Sequence, residues 1–225
     1  PEKEGLANPT EAQLAEIIAA VKSADIQANV EETVNEPLIS ENLKGSKVKK
    51  TSTGIYGSTV WTLKNGVKVV VLPTDHKKDQ VLLNLEFKGG KTLIATEDLP
   101  SFEENIWAIY LSNSGLSKFP RTTLSKLLAG KNVSINPNVG NTTHGISGQS
   151  TPKDLETAFQ LMYLNFVDRR FDAEEYATGI QQIQAVLPNL VNTPDFKFQK
   201  FVNEKMYGGN ERVLLINDEV LEAAS

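Results

Sequence analysis

The sequence predicts an α+β fold in which helices pack on one face of a largely antiparallel sheet. Three observations lead to this prediction. The Asn65-Gly66 pair separates two apolar runs, which is a strong signal for a β-hairpin. The apolar pattern then changes from strand to helix, back to strand, and back to helix. Each helical segment carries one apolar stripe, which another element must cover.

The first element is a helix that begins near Thr10. Thr10 and Gln13 have the spacing of a capping box. The apolar residues that follow recur with the helical period: Leu14, Ile17, Ile18 and Val21. Residues 25–54 are rich in polar residues and glycine, and we predict a linker there. Four lysines in this segment are expected to be solvated linker charges and not a binding patch: Lys44, Lys47, Lys49 and Lys50.

Residues 60–87 supply three predicted strands. The hairpin turn at Asn65-Gly66 is expected to be of type I′, which requires a positive φ at both central residues. The third strand covers residues 81–87 and ends at Gly89-Gly90.

The rest of the chain is predicted to contain five helices and two strands. In order, these are a helix over 101–113, a short helix after Pro120, two strands within 132–149, a helix capped by Thr151, a helix that Asp172 opens and Pro188 ends, and a last helix closed by Gly208-Gly209.

Composition excludes several classes of protein. Apolar residues make up 40% of the 225 residues, and no apolar run approaches the roughly 18 residues of a membrane span. The net charge of −5 argues against nucleic acid, whose affinity comes mainly from clustered Lys and Arg. Cysteine is absent, which excludes disulfides, thiol nucleophiles and cysteine-zinc sites.

No catalytic constellation is visible in the residues alone. His76 and His144 are far apart, and neither has a His or Glu at i+3 or i+4, so no helical zinc pair can form. Glu103 and Glu104 fall in the first turn of a predicted helix, where negative charge is favoured for structural reasons. The glycines have the wrong spacing for a phosphate loop or a dinucleotide fingerprint.

The stretch from Val60 to Val71 resembles the opening strand pair of the pitrilysin/insulinase family of zinc metallopeptidases, whose pattern is Leu-x-Asn-Gly-hydrophobic-x-Val. The resemblance continues in the family's order and covers about residues 55–190. Its further motifs are Asp79-Gln80-Val81, Gly89-Gly90, Gly115-Leu116, Ile135-Asn136 and the run from Pro152 to Glu156.

Family members consist of two similar halves, of which one binds zinc. In that half, the helix after the third strand carries His-x-x-Glu-His, where the histidines bind zinc and the Glu activates water. The best-matching positions here are Ile106, Ile109 and Tyr110. The helix of the third ligand also lacks an acid in its later part. The resemblance is therefore to the non-catalytic second half: it implies no catalytic residue and no metal ligand in this chain, with zinc held in the catalytic half of the parent protein.

The resemblance also implies a domain organisation and a role. Residues 1–54 correspond to the end of the preceding half and a connector, and residues 55–225 to a peptidase-like domain without the zinc motif, truncated C-terminally. Such a chain helps to enclose and bind a peptide substrate for proteolysis by the other half. The expected partners are that catalytic half, in the same protein or in a partner subunit, and the peptide. Bacterial members of the family favour a periplasmic location.

Three polar residues of one predicted strand are candidates for substrate contact: Ser134, Asn136 and Asn138. An edge strand can pair with an extended peptide through its backbone, although Pro137 removes one donor from this strand. The alternative is that these are ordinary solvent-facing positions.

Two other functions are compatible with the sequence. In the first, the chain is a structural or docking module of an inactive homologue that assembles with a separate catalytic subunit. In the second, it is an unrelated α+β binding module. Absence of a six-stranded sheet backed by helices would favour the unrelated module.

Overall fold

The computed structural model describes residues 9–24 and 36–224, which belong to two compact units. The first unit contributes helix α1 (Glu11–Ser23), which has the predicted capping box between Thr10 and Gln13. The apolar stripe of α1 is exposed along its whole length. Residues 25–35 of the predicted linker lie outside the described residues.

The second unit contains two three-stranded antiparallel sheets. The first has the order β1-β2-β3, and its strands are Val48–Thr53, Thr59–Leu63 and Lys68–Val71. The second has the order β4-β6-β5, with β4 at Val81–Lys88, β5 at Val133–Val139 and β6 at Thr143–Ser150.

Six helices complete the described part of this unit: α2 (Glu104–Asn113), α3 (Arg121–Leu127), α4 (Leu155–Val167), α5 (Ala173–Leu190), α6 (Pro194–Tyr207) and α7 (Asp218–Ala223). The predicted α+β class is confirmed. The six strands form two separate antiparallel sheets. Within the described residues, no helix is long and apolar enough to cross a membrane.

Strand β1 lies inside the segment that was predicted to be a linker. Its sequence, Val-Lys-Lys-Thr-Ser-Thr, has no apolar alternation, and every residue in it is exposed. Backbone pairing with β2 creates the strand, with an irregularity in register between Val48 and Lys50. Side-chain periodicity could not have predicted a strand with no buried face. The boundary between residues 54 and 55 stays a prediction.

The β2–β3 hairpin forms at the predicted place with a different turn. Gly66 has a φ of 92°, but Asn65 does not have a positive φ. The Gly66 N–H donates to the Leu63 carbonyl at 3.0 Å, and the Leu63 N–H donates to the Val67 carbonyl at 2.8 Å. This pattern belongs to a three-residue loop whose last residue is left-handed. Glycine is thus needed only at position 66.

Gly89 and Gly90 join the end of β4 to the β5–β6 turn. The Gly89 N–H donates to the Thr142 carbonyl at 2.7 Å, and the Lys91 N–H donates to the Gly140 carbonyl at 2.8 Å. Gly90 has a φ of 62°, and a Cβ there would lie 2.3 Å from the Gly140 oxygen. A side chain at position 90 would therefore separate β4 from the turn.

Two apolar clusters hold the helices in place. In one, α4 packs on β5 and β6, where Leu161 and Leu164 meet Val133 and Ile135. Helices therefore cover one face of the second sheet, as predicted. The other cluster joins α2, α5 and α7 through Ile106, Ile180, Leu187, Val220 and Leu221.

Replacement of Gly90 by Ala should destabilise the chain strongly. The variant combines the strain of a left-handed alanine with a backbone clash, and we expect a loss of about 2–4 kcal/mol in the free energy of unfolding. Gly208→Ala is the matched control, since Gly208 also has a φ of 62° but nothing lies within 4 Å of its Cβ position. It should lose only about 1 kcal/mol. Urea unfolding followed by tryptophan fluorescence measures both, and equal losses would contradict the clash.

Candidate functional site

The three candidate residues lie on the open face of the second sheet. In β5 they alternate with Val133 and Ile135, which pack toward α4, so Ser134, Asn136 and Asn138 point to the opposite face. Asn136 and Asn138 are exposed, and Ser134 is half-buried. The Asn136 amide donates to the Ser134 hydroxyl at 2.9 Å. The structure thus brings the three residues together, and their role in binding stays a prediction.

The polar surface continues across β6 and β4. Asn136 lies opposite Ser147, which lies opposite Asn84. Residues that are opposite in a ladder share one face of the sheet. By the same registers, this face also carries Leu82, Glu86 and Gln149. Alternation within residues 81–88 and 143–150 could have indicated these positions, but only the pairing of the strands places them beside β5.

Asp154 anchors the beginning of β5 to the beginning of α4. Thr151 was predicted to cap this helix, but α4 starts at Leu155, after Asp154. The Asp154 carboxylate accepts hydrogen bonds from the Asn132 N–H and from the Thr151 hydroxyl, both at 2.9 Å. These hydrogen bonds stabilise the charged form and lower the pKa of Asp154 below its usual range.

Helix α2 carries the three positions that the sequence resemblance matches to the zinc motif. Ile106 is fully buried, and Ile109 packs against the same cluster. Tyr110 is half-buried. Neither isoleucine can ligate a metal, and a zinc site requires three or four N, O or S donors. The residues at these positions do not fit zinc.

A close approach of α5 fills the space beside these residues. At Gly179, an added Cβ would lie 2.4 Å from Ile109 Cγ2 and 2.9 Å from Asn113 Nδ2. The Asn113 amide also donates to the Glu175 carbonyl at 3.2 Å. The two helices are in van der Waals contact beside the positions that the resemblance matches to the zinc motif.

A row of five aromatic rings borders this contact, with neighbouring centroids 5.1–6.0 Å apart. The rings belong to Phe102, Trp107, Tyr110, Phe171 and Tyr176. Arg169 lies 4.9 Å from the centre of the Tyr110 ring, and its Nε donates to the Tyr110 hydroxyl at 3.2 Å. The Tyr110 hydroxyl is the only side-chain oxygen at the three motif positions Ile106, Ile109 and Tyr110. The guanidinium places a positive charge beside it, which disfavours a divalent cation there.

The acids and histidines considered in the sequence as candidates for chemistry have other places in the fold. Glu103 caps α2, and its carboxylate accepts from the Asn105 N–H at 2.9 Å. His144 accepts a hydrogen bond from the Gly90 N–H at 3.3 Å through Nδ1, and it stacks on Phe87 at 5.5 Å. His76 is exposed. Across residues 9–24 and 36–224, no three His, Cys, Asp or Glu side chains are grouped so as to hold a metal.

Two cavities of the second unit are lined mainly by residues outside the polar face. One of about 520 Å³ lies between α6 and the segment that leads into α7, and Phe196, Tyr207 and Ile216 line it. Another of about 170 Å³ lies under β5 on its helical side, beside Leu116 and Ile135. Of the three predicted peptide-contact residues, Asn136 lines the smaller cavity and none lines the larger one.

No protein-family profile and no curated protein matches the chain. Among solved structures, the chain is similar to the periplasmic protease PqqL from Escherichia coli, with a TM-score of 0.71 and 16% identity over 95% of this chain and 23% of PqqL. It is similar to a variant of the ferredoxin protease FusC in complex with Arabidopsis ferredoxin, with a TM-score of 0.63 and 17% identity over 98% of this chain and 26% of FusC. A protease from Helicobacter pylori matches 70% of this chain with a TM-score of 0.48 and 15% identity, over 36% of its own length.

The similarity to PqqL and FusC establishes the class of fold. The chain has the fold of a domain of insulinase-type proteases, which supports the family relationship inferred from the hairpin motif. The chain spans about a quarter of the length of either protease. The separation of the six strands into two sheets would favour an unrelated binding module, but the fold match along nearly the whole chain argues against that alternative.

Replacement of Gly179 by Ala should destabilise the chain by about 1–3 kcal/mol, because the overpacking cost exceeds the roughly 1 kcal/mol that alanine gains in a helix. In the Ile109→Ala background the same substitution should cost at least about 1 kcal/mol less, since the obstructing methyl group is gone. A double-mutant cycle by chemical unfolding measures this coupling. Additive effects would contradict the close contact.

Replacement of Asp154 by Asn should remove part of the acid sensitivity of folding. Since the folded pKa is lowered, Asp154 stabilises the fold above the unfolded value of about 3.9, and this stabilisation is lost as pH falls through the folded pKa. The difference in stability between wild type and Asp154→Asn should shrink from pH 6 toward about pH 2. Urea unfolding across this range tests it, with exposed Asp98→Asn as the charge control. A constant difference would contradict the role of the carboxylate.

Proposed function

We propose that this chain is an accessory, non-catalytic portion of a zinc metallopeptidase, which helps to enclose and bind a peptide that another half cleaves. The observation that carries the proposal is the apolar packing of α2 on α5 within an insulinase-type fold. The zinc belongs to the catalytic half of the parent protein, and no step of the chemistry is assigned to this chain.

The fold supports the first part of the proposal. PqqL and FusC are proteases, and this chain aligns along 95% and 98% of its length with a quarter of each. Such a portion can contribute substrate contacts and exclude solvent from the site while another portion holds the reacting groups.

The chemistry of α2 supports the second part. The motif positions Ile106, Ile109 and Tyr110 supply two aliphatic side chains and one hydroxyl that is hydrogen-bonded to Arg169. A general base and metal ligands are both needed to activate water in a metallopeptidase. These residues supply neither, so cleavage must depend on groups outside this chain.

The open face of the second sheet supports a role in peptide binding. It exposes hydrogen-bonding side chains on all three strands, and β5 is an edge strand. The position at the edge also explains why Pro137 is tolerated in this strand. An extended peptide beside β5 would meet the side chains of Asn136 and Asn138.

The second candidate is a structural module of an inactive homologue that assembles with a separate catalytic subunit. Exposed apolar residues on α6 favour packing against further protein in both cases: Phe198, Phe201 and Met206. The two proposals differ in whether His-x-x-Glu-His occurs elsewhere in the parent protein, and in whether this chain changes the cleavage of peptides.

Peptide cleavage by the region that precedes this chain in its parent protein should increase when the chain is added. The chain alone should cleave nothing, because the groups that activate water are supplied by the other half. Cleavage of a quenched fluorescent peptide library measures both. No increase on addition, although the two pieces bind each other, would support the structural module instead.

Replacement of Ser134, Asn136 and Asn138 together by Ala in the full-length enzyme should raise KM for peptides by about three- to tenfold with little change in kcat, since these side chains would contact bound peptide and not the reacting atoms. The control replaces three exposed polar residues of α5: Thr178, Gln181 and Gln182. Unchanged KM in the β5 variant would eliminate these residues as substrate contacts.

A further inference from the structure

Lysine is concentrated in the first sheet. Residues 43–74 contain six lysines and no Asp or Glu, so the net charge of −5 divides into +6 in this stretch and −11 elsewhere. The six are Lys44, Lys47, Lys49, Lys50, Lys64 and Lys68. All are exposed, and none forms an ion pair with another described residue.

These lysines form two groups in the sequence, one at residues 44–50 and one at Lys64 and Lys68. The fold brings the two groups to one end of the sheet. The Lys64 N–H donates to the Lys47 carbonyl at 2.9 Å, and the Asn65 N–H donates to the Ser46 hydroxyl at 3.2 Å. These hydrogen bonds hold the approach to β1 beside the β2–β3 turn. The four lysines predicted to be solvated are exposed. Their approach to Lys64 and Lys68 depends on strand pairing, which the sequence pattern of a linker does not indicate.

The pairing of the strands also aligns two lysines across one face. Lys50 lies opposite Thr62, and Thr62 lies opposite Lys68. With neighbouring strands about 4.8 Å apart, Lys50 and Lys68 are separated by about 10 Å on the same face. The change of register between Val48 and Lys50 adds the intervening Lys49 as an extra residue, which a bulge redirects.

Strand β1 is also an open edge. It is the first strand in the order β1-β2-β3, and all six of its residues are exposed. An edge strand presents unpaired N–H and C=O groups that can pair with another extended chain. Backbone pairing would supply affinity, and the lysines would favour a negatively charged segment over a positively charged one.

We infer that β1 and the lysines beside it bind an extended acidic polypeptide segment, which adds as a fourth strand to the first sheet. Alternate carboxylates on such a segment would lie along the face that carries Lys50 and Lys68. This binding requires no catalytic half, and it differs from the predicted peptide contact on β5 in both location and charge.

The geometry favours a polypeptide over nucleic acid. Single-stranded nucleic acid requires aromatic side chains and basic groups on the same platform. Trp61 lies opposite Thr51 and Val69, on the reverse face from Lys50 and Lys68. The charge of −11 on the remainder of the chain would repel a long polyanion, whereas a short acidic segment stays within the basic area.

The test measures fluorescence anisotropy of a labelled peptide that alternates Glu and Val, with the whole 225-residue chain and low salt. Wild type should bind, and Lys50→Glu with Lys68→Glu should weaken binding by at least about tenfold. The control is Lys77→Glu with Lys78→Glu, an equal change of charge at exposed residues beyond β3. It should change affinity by less than about threefold, and circular dichroism should show that both variants remain folded.

Two further probes separate the parts of the interaction. A peptide of the same charge that is N-methylated at alternate residues should bind at least about fivefold more weakly, since it cannot pair fully with β1. Unlabelled oligothymidylate should compete poorly.

Equal binding by the two charge-reversal variants, or preferential binding of oligothymidylate, would overturn the inference. So would the absence of any binding at low salt together with self-association of the Lys50/Lys68 variant. In that case the lysines serve only to keep an exposed edge from pairing with other copies.

Discussion

The contact between α2 and α5 at Gly179 is the constraint on which the rest of the second unit depends. Because residue 179 has no side chain, Ile109 comes within van der Waals distance of the α5 backbone. That approach lets Ile106, Ile180 and Leu187 join one cluster, onto which Val220 and Leu221 of α7 also pack. This cluster includes Ile106, and Ile109 packs against it, at positions that the resemblance matches to the zinc motif.

The two sheets differ in what they expose. The second is covered by α4 on one side and offers mostly polar side chains on the other, with Gly90 close to the β5–β6 turn. The first exposes all of β1 and most of β3, and six exposed lysines lie in its strands or beside them. The proposed peptide-binding role of the second sheet and the proposed recognition of acidic segments by the first rest on these different surfaces, so each can be tested without the other.

Much of the fold could be predicted from sequence because local rules and tertiary packing agree. The capping box of α1, the Asp172 cap of α5 and the left-handed Gly208 after α6 all occur where the residues indicated. The apolar runs of β2, β3 and β4 were equally clear. Each of these elements has its own signal within a few neighbouring residues.

The remaining features depend on contacts that are distant in sequence. β1 has no apolar face and exists because β2 pairs with it. α7 is only six residues long and is defined by burial of Val220 and Leu221. The three candidate residues of β5 could be named from alternation alone, but their neighbours on β4 and β6 required the register. The basic cluster required the pairing of β1 with a hairpin whose lysines come fourteen or more residues later.

We propose that this chain contributes no metal centre to its parent protein. The most direct test is the zinc content of the purified 225-residue chain after equilibration with zinc and removal of loosely bound ions. The packing of α2 on α5 predicts a zinc content far below one ion per chain, and the same result for an Ile106→Val variant. One tightly bound zinc per chain, lost when α2 or α5 is altered, would contradict the claim.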